Sequence, residues 1–215
     1  MRGVFFSFEG PEGSGKSTQI RLLYNYLKKR GLKVLKIREP GGTRIGEKIR
    51  KILLNPSFKE ISPLSEMLLY MVCRNQLVEE VIIPYLKKGY IILCDRFLDS
   101  TFAYQGFGLG VDLKLIKKIA DSVCKGITPD LTVVLDLPVE EGLKRAGKKF
   151  DRIEIRDLKF HQRVREGYLK LAKLYPKRIK VVAVQNEPLS TQKIIQEIIF
   201  KKLCHLRKLS ETKNL

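Results

Sequence analysis

The sequence is poor in the residues that build metal centres and disulfide frameworks. It has no tryptophan, only two histidines and four cysteines among 215 residues. The cysteines form no CxxC pair and have no histidine-rich spacing around them, which disfavours zinc and disulfide frameworks. Cys94 lies in an apolar run, so we expect it to be a buried free thiol.

Long apolar runs are also missing. No stretch approaches the ~18 residues that a membrane span needs. The apolar run at the N-terminus gives way to glycine-rich polar sequence by Gly10, which is too early for a signal peptide. We therefore expect a cytoplasmic protein without membrane association. Apolar residues still make up 44% of the chain, enough for a sizeable core.

Acidic residues are scarce relative to basic ones. There are 42 Lys and Arg against 23 Asp and Glu, a formal charge of +19. An excess of this size predicts a polyanionic partner such as a nucleotide, nucleic acid, phosphate or anionic membrane. A solvated lysine-rich surface is the alternative, and it would speed encounters with anions or reflect adaptation to high temperature.

Short apolar strands alternate with longer helical patterns, and no repeat or linker divides the chain. We therefore expect a single domain over residues 1–215. The predicted strands are Val4–Phe8, Val34–Arg38, Ile91–Cys94, Leu131–Leu135 and Ile179–Val184. The predicted helices are Gly15–Lys29, Pro63–Lys87, Asp112–Lys125, Glu154–Leu174 and Pro188–Leu206. This order predicts an α/β fold: a doubly wound, five-stranded parallel sheet flanked by helices. In such folds the ligand site lies beyond the carboxyl ends of the strands.

A phosphate-binding loop follows the first predicted strand. The run Gly10–Ser17 reads GPEGSGKS and matches the pattern GxxxxGK[ST]. Small residues let backbone N–H groups turn toward a phosphate, Lys16 reaches the β and γ oxygens, and Ser17 binds Mg²⁺. A glycine-rich turn with a stray lysine is the alternative, but the strand before it and the helix after it favour the loop. The motif indicates a nucleoside triphosphate and leaves the reaction open.

Two further strands end in candidate phosphate and metal ligands. Arg38, followed by the glycine-rich turn Glu39–Thr43, is suited to hold an anionic group by two hydrogen bonds. Asp95 is placed to hold Mg²⁺ or its water opposite Ser17. A tight turn with a solvated arginine and an ordinary helix-capping aspartate are the alternatives.

Three segments combine groups suited to a nucleotide base or to phosphates. The run Asp99–Gly106 brings aromatic and amide groups together, and Tyr70 and Arg74 share one helix face. The basic stretch Lys144–Arg152 is suited to close over phosphates as a lid, at about residues 144–153. A core tyrosine with a surface arginine, and a solvated charge run between helices, are the alternatives.

Taken together, these segments resemble the thymidylate kinase family of P-loop nucleoside monophosphate kinases. The resemblance spans nearly the whole chain, and its motifs occur in the family's order. The matching stretches are Phe8–Thr18, Arg38–Thr43 (REPGGT), Asp95–Gly106 (ending AYQG), Pro129–Asp136 (PDLTVVLD) and Asp151–Glu154 (DRIE).

The resemblance implies that ATP phosphorylates dTMP to dTDP with Mg²⁺, in a homodimer and without a specific nucleic-acid partner. It implies ATP binding by Gly10, Pro11, Glu12, Gly13, Ser14, Gly15, Lys16, Ser17, Thr18 and Arg145, with Ser17 and Asp95 serving the metal. It implies dTMP binding by Glu12, Arg38, Tyr70, Arg74, Arg96, Ser100, Thr101, Tyr104 and Gln105. Lys16, Arg96, Arg152 and Glu12 would be the catalytic residues.

Within that resemblance, each acceptor residue has an expected role. Arg38 and Arg96 hold the dTMP phosphate, and Glu12 approaches the sugar 3′-OH. Tyr70 stacks on thymine, and Tyr104 crowds the sugar 2′ position. The polar edge of the base is read by Arg74 and Gln105, with help from Ser100 and Thr101.

The sequence departs from the family's pattern at the P-loop and the lid. Relatives without an arginine inside the P-loop usually carry several in the lid. Here position 13 is Gly13, and the lid centre reads Gly147-Lys148-Lys149. Lysine supplies charge but no bidentate fork, so we expect Arg152 to meet the transferring phosphoryl group.

Two other functions are compatible with the sequence. One is a related kinase with another acceptor, such as dUMP or a deoxynucleoside, because thymine and uracil differ by one methyl group. The other is a P-loop protein that binds nucleic acid, which the charge of +19 would favour. No helicase-type or recognition-helix motif accompanies that charge.

Overall fold

Five parallel strands form the centre of the protein. The structure, a computed structural model, describes residues 3–147 and 151–211. The strands pair in the order β2-β3-β1-β4-β5. Their bounds are β1 Val4–Glu9, β2 Val34–Arg38, β3 Ile91–Asp95, β4 Leu131–Asp136 and β5 Ile179–Ala183. Each predicted strand is confirmed to within one residue at either end, and so is the predicted parallel α/β class.

Helices cover both faces of this sheet. Their bounds are α1 Lys16–Lys29, α2 Arg44–Leu54, α3 Pro63–Leu77, α4 Ile83–Lys87, α5 Leu98–Thr101, α6 Leu113–Val123, α7 Val139–Ala146, α8 Leu158–Leu174 and α9 Pro188–Glu211. A π-helical turn, Val78–Ile82, joins α3 to α4, so the predicted helix Pro63–Lys87 is continuous. A second π-helical segment, Phe102–Gly108, continues α5. No helix in the two described ranges combines the length and the apolar character that a bilayer crossing requires.

The helices that the sequence did not predict are short. Helix α2 has 11 residues and carries Ile45, Ile49, Ile52 and Leu53 at helical spacing, a pattern that the sequence prediction left out. The expected helix from Glu154 begins instead at Leu158, because Asp157 caps it by accepting a hydrogen bond from the Phe160 N–H at 2.6 Å.

The central strands β1, β3 and β4 are almost entirely buried because both faces of the sheet are covered there, whereas the edge strands β2 and β5 expose Lys36 and Lys180. On β1, Phe6 and Phe8 pack against α1 and α9, where Leu23 is fully enclosed. Phe5 points to the opposite face, where it packs against Met67 of α3. Side chains alternate between the two faces along a strand. Where helices cover both faces, the side chains on both are mostly apolar, so the strand shows no alternation of polar and apolar residues.

This topology gathers the carboxyl ends of three strands at one edge. Phe8 pairs with Asp95 between β1 and β3, and Arg38 pairs with Asp95 between β2 and β3. Helices leave the sheet there in opposite directions, which opens a crevice beyond the strand ends. The last residues of β1, β2 and β3 therefore form the floor of one site.

We predict that Leu23→Ala lowers the free energy of unfolding by ~3 kcal/mol, because it leaves a cavity where α1 meets the sheet. Leu174→Ala is the matched control. Leu23 is 0% exposed and Leu174 is 67% exposed, so the control should change stability by less than ~0.5 kcal/mol. Urea unfolding followed by circular dichroism measures both values, and equal losses would contradict this placement of the core.

Candidate active site

The phosphate-binding loop connects β1 to α1, as the sequence predicts. Gly15 caps α1 with a left-handed φ of 81°. The Lys16 ammonium crosses the loop and donates to the carbonyls of Pro11 at 2.9 Å and Gly10 at 3.2 Å. Burial, together with the nearby Arg96, lowers the pKa of Lys16 to about 8. Burial therefore makes this ammonium group, which lies across the loop, easier to deprotonate than that of an exposed lysine.

Position 13 has a steric reason to be glycine. Gly13 has a φ of +66°, and a Cβ there would lie 1.9 Å from the carbonyl oxygen of Gly142 on α7. A Cβ on Gly142 would in turn lie 2.3 Å from the carbonyl oxygen of Glu12. Two glycines thus let α7 pack directly on the loop, and this contact leaves no room for an arginine at position 13.

Ser17 and Asp95 lie together at the start of α1. The Ser17 hydroxyl donates to Asp95 Oδ2 at 2.7 Å. A hydroxyl oxygen and a carboxylate are the hard ligands that Mg²⁺ accepts, usually with substrate phosphates and water completing its shell. The donor set fits a magnesium ion at this end of the loop.

Arg96 connects the loop with the other walls of the site. It has a left-handed φ of 69°, uncommon for a residue with a side chain. Its guanidinium pairs with Glu12 at 2.8 Å and donates to the carbonyl of Gly10 at 3.0 Å. The Tyr104 hydroxyl also donates to Glu12, at 2.6 Å. Burial would raise the pKa of Glu12, but Arg96 and Lys16 lower it to about 2, so Glu12 is a carboxylate acceptor.

A buried glutamate that sequence reasoning missed supports this turn. Glu9 accepts hydrogen bonds from the Phe97 N–H at 2.7 Å and from the Ser100 hydroxyl at 2.5 Å. Burial and the neighbouring Asp99 raise the pKa of Glu9 to about 8. The Tyr168 hydroxyl on α8 bonds to Ser100 at 2.7 Å and accepts from Arg96 at 3.0 Å. The one available signal for Glu9 was an acidic residue directly after the predicted strand Val4–Phe8.

These groups border a cleft of about 460 Å³ that runs from the phosphate-binding loop to α3. This volume suits a small-molecule ligand. The sequence-predicted residues that line it are Glu12, Gly13, Ser14, Gly15, Lys16, Ser17, Thr18, Arg38, Tyr70, Asp95, Arg96, Ser100, Thr101, Tyr104, Gln105 and Arg145. It is also lined by Glu39, Pro40, Arg50, Leu54, Asp151, Ile153 and Glu154, for which the sequence suggested no individual role. Gly10 and Pro11 lie behind this lining, buried in the loop.

Arg74 lies behind the cleft wall. Its side chain is 1% exposed and pairs with the buried Glu39 at 2.6 Å. It also donates to the Thr101 hydroxyl at 3.0 Å. Thr101, Tyr70 and Gln105 form the lining in front of it. Arg74 therefore reaches the cleft through Thr101, which departs from the direct contact that we expected.

The expected lid begins inside a helix. Lys144 and Arg145 belong to the last turn of α7, and Arg145 lines the cleft while pairing with Glu141. Lys148 and Lys149 of the lid centre lie outside the described residues, as does Phe150.

Arg152 also lies outside the cleft lining, contrary to expectation. It is 4% exposed, and its Nε donates to the Leu53 carbonyl at 2.8 Å. Its Nη2 lies 2.7 Å from Oε2 of Glu66, a fully buried carboxylate on α3. Burial of a charge requires a paired charge, and Glu66 supplies it here. No sequence pattern marked Glu66, because its partners come from distant segments.

Known proteins resemble this chain over most of its length. A sequence model of the family described as thymidylate kinase matches residues 8–195. A thymidylate kinase from Caldanaerobacter subterraneus subsp. tengcongensis is 48% identical over 200 residues, covering 93% of this chain and 96% of the relative. One from Carboxydothermus hydrogenoformans is 50% identical over 190 residues, covering 87% and 92% respectively.

A solved structure agrees with these sequence relatives. The crystal structure of thymidylate kinase from Ehrlichia chaffeensis superposes with a TM-score of 0.79 at 32% identity. It covers 93% of this chain and 100% of that chain. The resemblance inferred from the motifs is therefore confirmed, and the chain belongs to the thymidylate kinase family.

Proposed function

We propose that this cleft performs the reaction of its family, in which the γ-phosphoryl group of ATP passes to dTMP and yields ADP and dTDP. The dTDP formed supplies dTTP synthesis for DNA replication. One observation carries the proposal. A single cleft joins a phosphate-binding loop at one end to Tyr70, Thr101 and Gln105 at the other, with Arg38 and Arg96 between them. The cleft thus presents cations to phosphates and an aromatic and amide surface to a base.

At the loop end, the residues Gly10–Thr18 bind the ATP phosphates, with Lys16 serving the β and γ oxygens and Arg145 adding charge from α7. Ser17 and Asp95 hold Mg²⁺ through their oxygens. Bound there, the ion neutralises the charge of the phosphates and helps to orient them.

At the acceptor end, Arg38 and Arg96 hold the phosphate of dTMP. The Glu12 carboxylate accepts a hydrogen bond from the sugar 3′-OH, and Tyr104 crowds the 2′ position. Tyr70 stacks on the base. Its edge is read by Gln105, Ser100 and Thr101, with Arg74 acting through Thr101.

Transfer is in-line between the two nucleotides and needs no covalent intermediate with the protein. Lys16 and Arg96 stabilise the charge of the transferring group, and Glu12 keeps the acceptor sugar in place. We also assign Arg152 a contact with the transferring phosphoryl group. That contact requires its guanidinium to leave Glu66.

The test of this function is ADP release with ATP and Mg²⁺ across a panel of acceptors: dTMP, dUMP, UMP, dCMP, AMP and thymidine. We expect dTMP to give the highest kcat/KM, because the cleft combines a phosphate site with a base site. If none of the monophosphates stimulates ADP release while nucleic acid does, the proposal fails and the charge of +19 becomes the better guide.

The preference for deoxyribose over ribose tests whether the sugar of the acceptor lies against Tyr104. We predict that Tyr104→Leu lowers the ratio of kcat/KM for dUMP over UMP about tenfold, since a smaller side chain makes room for the 2′-OH. Tyr104→Phe is the matched control. It keeps the ring but loses the hydrogen bond to Glu12, so it should lower activity and retain the ratio. Equal ratios in wild type and Tyr104→Leu would contradict this placement.

We further propose that two copies of the chain associate through the exposed apolar surface of α3. Leu64, Leu68 and Val72 occur at four-residue spacing and are 47%, 42% and 49% exposed. Ile45 and Ile52 on the adjacent α2 are 45% and 42% exposed. Adjacent apolar side chains of this kind are typical of protein–protein contacts, and a C2 dimer would bury the same surface of each copy.

A charge on this surface tests the dimer. We predict that Leu68→Glu converts a dimer to a monomer in light-scattering chromatography, because it places carboxylates in the shared apolar surface. Leu189→Glu on α9, at a site 63% exposed, should leave the dimer intact. A monomeric wild type, or a dimer that withstands Leu68→Glu, would overturn the assignment.

A further inference from the structure

We propose that Glu66 selects the base of the acceptor nucleotide by fixing the orientation of the Gln105 side-chain amide. The proposal rests on the function proposed above, because it takes Gln105 to face the base. Glu66 is then a positioning residue that never touches the substrate. It excludes cytosine by dictating which end of the Gln105 amide faces the cleft.

Glu66 is held as an ionised acceptor by its contacts. It is 0% exposed on α3. Its Oε2 lies 2.6 Å from Nη2 of Arg156 and 2.7 Å from Nη2 of Arg152. Two guanidinium groups offset the cost of burying the carboxylate, and an ionised carboxylate has no hydrogen to donate.

The remaining oxygen of Glu66 determines how Gln105 is turned. Glu66 Oε1 accepts a hydrogen bond from Gln105 Nε2 at 2.8 Å. A side-chain amide donates from its nitrogen and accepts at its oxygen, so a partner that only accepts must face the nitrogen. The Gln105 oxygen is left for the cleft, which Gln105 lines. Among the described residues, no group donates a hydrogen bond to the Gln105 oxygen. This oxygen is also not among the fully buried polar atoms that lack a partner, so it is accessible from the cleft.

A fixed oxygen distinguishes pyrimidines at N3. Thymine and uracil carry a hydrogen on N3 and donate to it, whereas the cytosine N3 is an acceptor and repels it. The neighbouring keto oxygen of thymine or uracil needs a donor. The Thr101 hydroxyl oxygen already accepts from Arg74 at 3.0 Å, so its own hydrogen is free to serve as that donor. The wall thus offers an acceptor beside a donor, the complement of thymine and uracil.

The experiment measures kcat/KM for dTMP, dUMP and dCMP in the wild type and in Glu66→Gln. The introduced glutamine is isosteric, but its oxygen must face the two guanidinium groups, which only donate. Its nitrogen therefore faces Gln105, and the Gln105 amide must turn over to accept from it. We expect the dTMP/dCMP ratio to fall at least about tenfold, as a lost polar discrimination implies. The dTMP/dUMP ratio should stay unchanged, because both bases carry the N3 hydrogen. A general loss of structure would lower the activity toward all three nucleotides, and it would not lower one ratio while leaving the other unchanged.

Two further variants separate the amide from the rest of the Glu66 cluster. Arg156→Gln weakens the other side of Glu66 without touching Gln105, so it should retain the dTMP/dCMP ratio. Glu66→Asp keeps the charge that both arginines need but withdraws the carboxylate by one methylene from Gln105. It should lower the ratio, and it serves as the test if Glu66→Gln does not fold.

Several outcomes would overturn the proposal. They are an unchanged dTMP/dCMP ratio in the Glu66 variants, an equal fall in Arg156→Gln, and a wild type that phosphorylates dCMP as well as dTMP. Gln105→Leu locates the failure. If it collapses the ratio while the Glu66 variants keep it, only the role of Glu66 is wrong. If it leaves the ratio unchanged, Gln105 does not face the base and the base site proposed above fails too.

Discussion

The pairing of Arg96 with Glu12 is the interaction on which the rest of the site depends. It links the turn after β3 to the phosphate-binding loop after β1, and it holds Arg96 and Glu12 in place in the cleft wall. The backbone of Arg96 is left-handed, a conformation that surrounding contacts must stabilise. Glu9 provides them from below through the Phe97 N–H and Ser100. Truncating either partner would leave a largely buried charge without its counterpart.

Acidic residues are few in this chain, yet several of them lie at the site. Glu9, Glu39 and Glu66 are each buried, and each binds groups that hold a cleft residue in place. The basic excess lies mostly outside, where it attracts anionic nucleotides. These glutamates beneath the cleft wall hold its cationic and amide groups in place before a nucleotide binds. Such preorganisation reduces the cost of arranging charges during the reaction.

The sequence predicted what is local and could not predict what is assembled from distant segments. The phosphate-binding loop is contiguous, and its glycines, Lys16 and Ser17 fix its structure within one turn. Arg74 and Arg152 were recognised as important, but their surroundings were not, because Glu39 and Glu66 reach them only after folding. Helix spacing places Tyr70 and Arg74 on one face. It does not indicate that one lines the cleft while the other lies behind Thr101.

Glu66 also bears on how Arg152 reaches a phosphoryl group. If Arg152 were the only partner of Glu66, its departure would leave an unpaired buried charge, which costs roughly 3–5 kcal/mol. Glu66 has a second guanidinium, that of Arg156, at 2.6 Å on the same oxygen. Arg156 can therefore keep the carboxylate paired while Arg152 moves. Because Glu66 has two arginine partners, it can serve two parts of the site. At the base site it fixes the Gln105 amide, and next to the lid it can release Arg152.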